Sequence, residues 1–167
     1  MKTLVFLDID GVLNCHEFDR EVMCGQIHPD KVSRLNYLLS KTAAGIVLSS
    51  AWRYIIHRGE MNLVGMEWLL RSHGVLANRL VGITAPDTLA PSTYNGVPGD
   101  WPVENERGVQ IHRWLGEHGH HPYVVLDDLD LGHTLADHPF VHVDGMVGLA
   151  DADVGKALRL LGVYDHG

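Results

Sequence analysis

The sequence predicts an α/β fold, in which a Rossmann-like parallel sheet of about five strands carries helices on both faces. The main observation is that short, continuously apolar runs alternate with segments whose apolar residues recur at helical spacing. A second observation is that several of the apolar runs end in polar residues. The length of 167 residues suits one core. We therefore expect a single domain over residues 1–167.

The first half of the chain predicts three strands and two helices. Residues 2–7 are apolar from Leu4 onward, which is typical of a central strand covered on both faces. Pro29 suits the first position of a helix over residues 29–41, where apolar residues return every three or four positions. A short strand at 46–48, an amphipathic helix over 60–73 and a strand in "RLVGIT" at 79–84 follow.

The second half predicts a long loop, two helices and two more strands. Residues 85–103 are rich in Pro, Gly, Asp and Ser, which indicates a loop. A helix over 105–118 precedes the strand "YVVLDD" at 123–128, and "FVHV" at 140–143 predicts a short fifth strand. The last helix covers 150–162 and ends at Gly162, because glycine favours helix C-termini.

Charge and cysteine content limit the class of protein. Lys and Arg total 13 against 21 Asp and Glu, so the formal net charge is −8, which disfavours long-range attraction of a polyanion but allows a local basic patch. Only Cys15 and Cys24 are present, too few for a disulfide framework. The N-terminus runs from one lysine into Asp8, unlike a signal peptide or membrane span. We expect a soluble, cytoplasmic protein with no membrane partner.

Polar residues stand at the carboxyl ends of three predicted strands. These residues are Asp8, Asp10, Ser49, Ser50, Asp127 and Asp128. In open parallel sheets, ligands bind outside this edge. Residues two apart in an extended segment point the same way, so Asp8 and Asp10 can serve one ligand, and Gly11 permits the tight turn after them. One Asp-x-Asp motif is weak evidence, but three such strand ends in order indicate a functional site.

Carboxylates gathered at one edge repel each other unless a divalent cation or raised pKa values relieve the repulsion. An oxygen-rich site of this kind suits Mg²⁺, which commonly works with phosphates. We therefore predict a Mg²⁺ site formed by Asp8, Asp10, Asp127 and Asp128. A bound phosphoryl group also needs hydrogen-bond donors and a cation, for which Ser49 and Arg107 are the candidates.

Four stretches carry a family resemblance. "FLDIDGVLN", "IVLSSAWR", "ERGVQIHRWL" and "YVVLDDLDL" resemble the four ordered motifs of the haloacid dehalogenase (HAD) superfamily, phosphatase branch. More narrowly, the chain resembles the small HAD domains of RNA-repair and polynucleotide kinase-phosphatase proteins. The resemblance spans nearly the whole chain. It implies a HAD-like fold and a Mg²⁺-dependent phosphomonoesterase that acts on nucleotides or on the terminal phosphates of nucleic acids.

The resemblance also implies a role for each matching residue. Asp8 would be the nucleophile that forms an aspartyl-phosphate, and Asp10 would be the acid and then the base, with its backbone carbonyl on Mg²⁺. Ser49 would hydrogen-bond the phosphoryl oxygens. Arg107 would stabilise their charge, at a position where the superfamily commonly has lysine. Asp127 and Asp128 would complete the metal site. To substrate binding we assign Ser50, Arg53 and Gly11.

Asp10 also separates two reactions of the superfamily. A halide leaving group needs no proton, and the dehalogenases lack an acid at this position. The resemblance therefore favours phosphate release over dehalogenation.

The sequence leaves room for a minimal cap or none. The gaps at 14–44 and 51–106 must supply core elements, so no large cap domain fits. By analogy with the family, an open site favours a large substrate such as a nucleic acid end, or a partner domain or protein that closes the site. Tyr94 and Trp101 in the predicted loop are candidates to stack a base, and Arg53 and Arg58 to meet a second phosphate.

Three other interpretations remain open. A receiver-like phospho-accepting module needs its aspartate after the third strand, where "RLVGITAPD" offers only Asp87 behind a proline. A non-catalytic binding domain is the second. The third is a zinc site at "HGHHP", residues 118–122, with His112 and His133 nearby. That stretch lies at the opposite end of the fourth strand and lacks a supporting Cys or Asp pattern.

Overall fold

Five parallel strands form one sheet in the part of the chain that the computed structural model describes, which is residues 2–15, 26–85 and 106–164. The strands are β1 (Leu4–Leu7), β2 (Gly45–Leu48), β3 (Leu80–Ile83), β4 (Tyr123–Asp127) and β5 (Phe140–His142). Their order across the sheet is β3-β2-β1-β4-β5. The predicted α/β fold and its strands are confirmed. Because every pairing is parallel, all carboxyl ends lie at one edge.

Helices connect the strands. They are α1 (Pro29–Thr42), α2 (Arg53–His57), α3 (Leu63–Ser72), α4 (Glu106–His118), α5 (Gly132–Leu135) and α6 (Asp151–Leu160). The four predicted helices are confirmed as α1, α3, α4 and α6, and each end lies within three residues of the predicted one. The sequence prediction missed α2 and α5, which have 5 and 4 residues and are too short to show a helical period.

The sheet is covered on both faces, as predicted. Val5 and Leu7 pack on one side with apolar side chains of α1, α3 and α6. On the opposite side, here called the α4 face, Leu4 and Phe6 pack with α4. The Phe6 ring meets the Trp114 ring edge-on, with centroids 5.5 Å apart. Alternate residues of β1 therefore belong to different cores, which explains why the strand is apolar throughout.

Backbone hydrogen bonds continue beyond the strand ends. The Asp8 amide donates to the Leu126 carbonyl at 3.0 Å, and the Ser49 amide donates to the Leu7 carbonyl at 3.0 Å. Side chains therefore continue to alternate between the two faces of the sheet for one residue beyond β1 and β2. The side that holds Phe6 within the sheet also holds Asp8 at the sheet edge.

The prediction of a minimal cap falls partly outside the described residues. Residues 51–85 of the second gap form α2, α3 and β3, and α3 contributes Met66 and Leu70 to the main core. The described part of this gap therefore belongs to the core. Residue 85 is the last one described before the predicted loop, so Asp87, Tyr94 and Trp101 lie outside.

Candidate active site

Asp8 and Asp127 come together at the carboxyl edge of the α4 face. They stand at the ends of the adjacent strands β1 and β4, and their side chains are almost completely buried, with exposed fractions of 3% and 0%. The Asp8 Oδ1 accepts the Ile9 amide at 2.7 Å, and the Asp127 Oδ1 accepts the Leu129 amide at 3.0 Å. The loops after β1 and β4 thus fix both carboxylates.

Arg107 bridges these two carboxylates from the first turn of α4. Its Nη1 donates to Asp8 Oδ2 at 2.5 Å and to the Asp127 Oδ1 and Oδ2 at 2.8 and 2.7 Å. Burial disfavours the charged guanidinium, but the two carboxylates outweigh this effect and raise the pKa of Arg107. The structure therefore places Arg107 beside Asp8, and its predicted role in stabilising the charge of the nucleophile and the phosphate stays a prediction.

One guanidinium does not neutralise two carboxylates. Burial and the neighbouring charge of Asp8 raise the pKa of Asp127 to about 7, although Arg107 and the Leu129 amide act in the opposite direction. The excess of negative charge is therefore held in a low-dielectric environment. A further positive group at this position would relieve it.

Asp128 adds a third carboxylate to the pair. Ligand oxygens of Asp8, Asp127 and Asp128 lie within 4.8 Å of one another, and this is the group of potential metal-ligating side chains found among the described residues. Asp128 lies against Gly11, which has φ +73° and no side chain to interfere. Three hard oxygen donors suit Mg²⁺. No comparable group is described around the histidines of 118–122, so the zinc interpretation gains no support.

The side chain of Asp10 does not join this group. Its Oδ1 accepts Asn14 Nδ2 at 2.9 Å and its Oδ2 accepts the Trp52 indole Nε1 at 3.0 Å. Asn14 also accepts the Gly11 amide at 2.7 Å, which stabilises the turn after β1. The predicted use of the Asp10 backbone carbonyl as a metal ligand stays a prediction.

Ser49 presents a hydroxyl that makes no hydrogen bond in the described structure. The residue is fully buried at the end of β2, and its Oγ has no partner. A buried hydroxyl without a partner is costly, and a bound ligand oxygen would satisfy it. The Ser50 Oγ accepts the Trp52 amide at 3.3 Å, and substrate binding by Ser50 stays a prediction.

Arg53 is buried rather than placed on the surface. Its Nη1 donates to the carbonyls of Ser49 and Ser50, and its Nη2 donates to Gln110 Oε1 of α4 at 2.6 Å. Burial lowers the pKa of Arg53. These contacts tie the loop after β2 to the helix that carries Arg107. Substrate binding by Arg53 stays a prediction, and the structure shows a structural role for it.

Three residues of this region were not predicted from the sequence, namely Asn14, Trp52 and Gln110. Asn14 and Trp52 stand in the stretches "DGVLN" and "SSAWR", so proximity to the motifs was a usable signal. Gln110 is three residues after Arg107 and carried no signal beyond that spacing.

Comparison with known proteins identifies the family. Residues 4–154 match the family described as the HAD domain in Swiss Army Knife RNA repair proteins. This match includes all four motifs and confirms the resemblance, whereas it gives no support to a receiver-like module. No curated protein matches the chain.

Within the described residues, no helix has the length and apolarity needed to cross a membrane.

The match covers most of the chain, and the parallel sheet carries its acidic residues at the edge where the motifs place them. The chain therefore belongs to the family of HAD domains found in Swiss Army Knife RNA repair proteins, and is a phosphatase-type hydrolase of the HAD fold.

Proposed function

We propose that this chain is a Mg²⁺-dependent phosphomonoesterase that acts through an aspartyl-phosphate. The observation that carries the proposal is the separation of two carboxylates. Asp8 lies with Asp127 and Asp128 beside the guanidinium of Arg107, whereas Asp10, two residues further on, is held by uncharged donors. Such an arrangement suits a charged nucleophile and a separate proton-transfer group.

The donor set of the site fits Mg²⁺. Asp8, Asp127 and Asp128 would hold the ion, together with the Asp10 carbonyl that the family resemblance implies. When bound, the ion would offset the repulsion among the carboxylates and stabilise negative charge on phosphoryl oxygens.

The first half of the reaction transfers the phosphoryl group to Asp8. A carboxylate oxygen of Asp8 attacks phosphorus, the bond from phosphorus to the leaving oxygen breaks, and Asp10 gives its proton to that oxygen. The Ser49 hydroxyl donates to a phosphoryl oxygen, which satisfies a group that otherwise lacks a partner. Arg107, which contacts Asp8 through Nη1, holds the nucleophile in place and offsets the transferred charge.

The second half of the reaction releases phosphate. Asp10, now ionised, takes a proton from a water molecule while the oxygen of that water attacks phosphorus. The bond between Asp8 and phosphorus breaks, so that inorganic phosphate leaves and Asp8 returns as a carboxylate. Asp10 regains the proton with which it began, and the two steps balance.

For the substrate we propose nucleotides or the terminal phosphates of nucleic acids. The description of the family as domains of RNA repair proteins supports this class. A partner domain or protein that closes the site over a large substrate is part of the proposal. The small number of cysteines supports a reducing compartment such as the cytoplasm.

A panel of phosphorylated compounds tests this function. The panel contains mononucleotides with a 3′ or 5′ phosphate, oligonucleotides phosphorylated at either end, and a sugar phosphate. Phosphate release is measured with Mg²⁺ and with a chelator, for the wild-type protein, Asp8→Asn and Asp137→Asn. Asp137 is an exposed acidic residue outside the site, so its variant is the matched control.

We expect hydrolysis that needs Mg²⁺, is lost in Asp8→Asn and is unchanged in Asp137→Asn. Acid quenching of the wild-type reaction should trap phosphate on Asp8. Full activity of Asp8→Asn, or full activity in the chelator, would contradict the mechanism. Turnover of the sugar phosphate alone would contradict the substrate class.

A further inference from the structure

The Asp10 carboxylate is held at both of its oxygens. Asn14 Nδ2 donates to Oδ1 at 2.9 Å, and the Trp52 indole Nε1 donates to Oδ2 at 3.0 Å. Both donors are uncharged. Asp10 therefore differs from Asp8, whose Oδ2 meets a guanidinium. Neutral donors can orient a carboxyl group without fixing it as an anion next to a full positive charge.

Trp52 is itself held firmly. It lies immediately before α2, its backbone amide donates to Ser50 Oγ at 3.3 Å, and its ring packs against the main apolar core. The indole therefore reaches from the loop after β2 to the loop after β1. Trp52 and Asp10, which this contact joins, are 42 residues apart in the sequence.

The orientation of Asp10 matters for proton transfer. The terminal torsion of an aspartate side chain is broad, so an unrestrained carboxyl group samples many directions. A general acid or base must lie within hydrogen-bond reach of the atom that it serves. Asn14 and Trp52 restrict this torsion from opposite oxygens, which leaves the remaining lone pairs with a defined direction.

We propose that Trp52 is a positioning residue, whose indole N–H holds Asp10 in the orientation required for proton transfer. This inference rests on the proposed function, in which Asp10 is the acid and then the base. The attack of Asp8 on phosphorus does not itself require this contact. Loss of the indole N–H should therefore affect proton transfer and leave substrate binding intact.

Leaving groups of different basicity test the proposal. An alkoxide needs a proton as it leaves, whereas p-nitrophenolate leaves without one. For Trp52→Phe we expect kcat on an alkyl phosphate to fall by about tenfold or more, since positioned acid–base catalysis contributes about 10²–10⁴-fold in enzymes. Formation of the phosphoenzyme from p-nitrophenyl phosphate should change much less. Hydrolysis of the phosphoenzyme should slow, so that a burst of p-nitrophenol appears. KM for the alkyl phosphate should stay unchanged.

A second substitution separates the N–H from the shape of the ring. Incorporation of benzothienylalanine at position 52 replaces the N–H by sulfur and keeps the two fused rings. It should reproduce the dependence on leaving group with no loss of thermal stability. Trp68→Phe is the control, because Trp68 is 68% exposed on α3 and lies outside the four motifs.

The possible results discriminate between this inference and the proposed function. Equal slowing of phosphoenzyme formation from both substrates, or wild-type behaviour of both position-52 variants beside an impaired Asp10→Asn, overturns the role of Trp52 alone. If Asp10→Asn hydrolyses the alkyl phosphate as fast as the wild-type protein, the acid–base assignment fails and this inference fails with it. Slower phosphoenzyme formation from the alkyl phosphate alone, together with the burst of p-nitrophenol, supports the proposal.

Discussion

The Asp128 carboxylate fills the space that a side chain at Gly11 would occupy. A Cβ atom at residue 11 would lie 2.2 Å from Asp128 Oδ2 and 2.8 Å from Asp128 Cβ, which is too close for any adjustment of the carboxylate alone. Gly11 also has φ +73°, a conformation that favours glycine. One position therefore joins the turn after β1 to the third carboxylate of the site.

Gly11→Ala should weaken Mg²⁺ binding because it displaces Asp128. We expect a loss of at least about tenfold in affinity, since a carboxylate moved from its place no longer ligates a cation that demands near-ideal geometry. Titration calorimetry with Mg²⁺ measures this change. Gly59→Ala is the matched control: Gly59 has the same φ of +73° but no atom within 4 Å of a Cβ. Both variants carry a backbone cost of about 1–2 kcal/mol in urea unfolding, but Mg²⁺ affinity should fall only in Gly11→Ala.

Arg107→Lys should retain much of the activity, because all three contacts of Arg107 use a single nitrogen. An ammonium group offers three donors from one atom and can replace Nη1. We expect kcat/KM to fall by less than about tenfold in Arg107→Lys and by about 10²-fold or more in Arg107→Met, the usual effect of losing a charge-stabilising donor. Arg113→Met, at an exposed position of the same helix, should be unchanged. Equal inactivity of the lysine and methionine variants would contradict this interpretation.

Arg53→Met should destabilise the protein rather than weaken substrate binding. The substitution removes the donor to the backbone carbonyls of Ser49 and Ser50 and to Gln110 Oε1. Each buried acceptor left unpaired costs about 1–3 kcal/mol. Urea unfolding should show this loss.

The control for this substitution is Arg58→Met, since Arg58 is partly exposed and pairs with Glu60 at the surface. Its unfolding midpoint should match that of the wild-type protein. If Arg53 contacts a second phosphate instead, Arg53→Met will raise KM and leave the free energy of unfolding unchanged.

His138 should make the stability depend on pH. Partial burial and the neighbouring His112 lower the pKa of His138 below its ordinary value of 6.5, although Asp137 acts in the opposite direction. The unfolded chain therefore binds a proton before the folded protein does. The free energy of unfolding should fall as the pH drops through 6.5, and the contribution of His138 is intact above that pH.

Urea unfolding at several pH values between 5 and 8 checks this expectation. His138→Asn should flatten part of the decline on the acid side, because the titrating ring that contacts the Tyr123 hydroxyl is gone. His73→Asn, at an exposed position after α3, should retain the wild-type slope. A steeper acid decline in His138→Asn would contradict the assignment.

The sequence alone predicted the strands and the longer helices because each has a recognisable apolar pattern. Buried parallel strands need apolar residues on both faces, and helices need them every three or four positions. The short helices α2 and α5 have no room for a repeat and were missed. Residues 86–105, including Tyr94 and Trp101, lie outside the described structure, so the predicted base stacking stays a prediction.

The sequence by itself determined which residues stand at the carboxyl edge, since Asp8, Ser49 and Asp127 each directly follow a run of apolar residues and the motifs order them along the chain. Only the tertiary structure decided what each side chain contacts. The contact from Trp52 to Asp10 spans 42 residues and that from Arg53 to Gln110 spans 57. Such contacts depend on how α4 and the loop after β2 pack over the sheet, because side chains distant in sequence meet only when the elements that carry them are placed together. A local sequence pattern indicates where a strand ends, but it does not indicate that α4 places Gln110 against the buried guanidinium of Arg53.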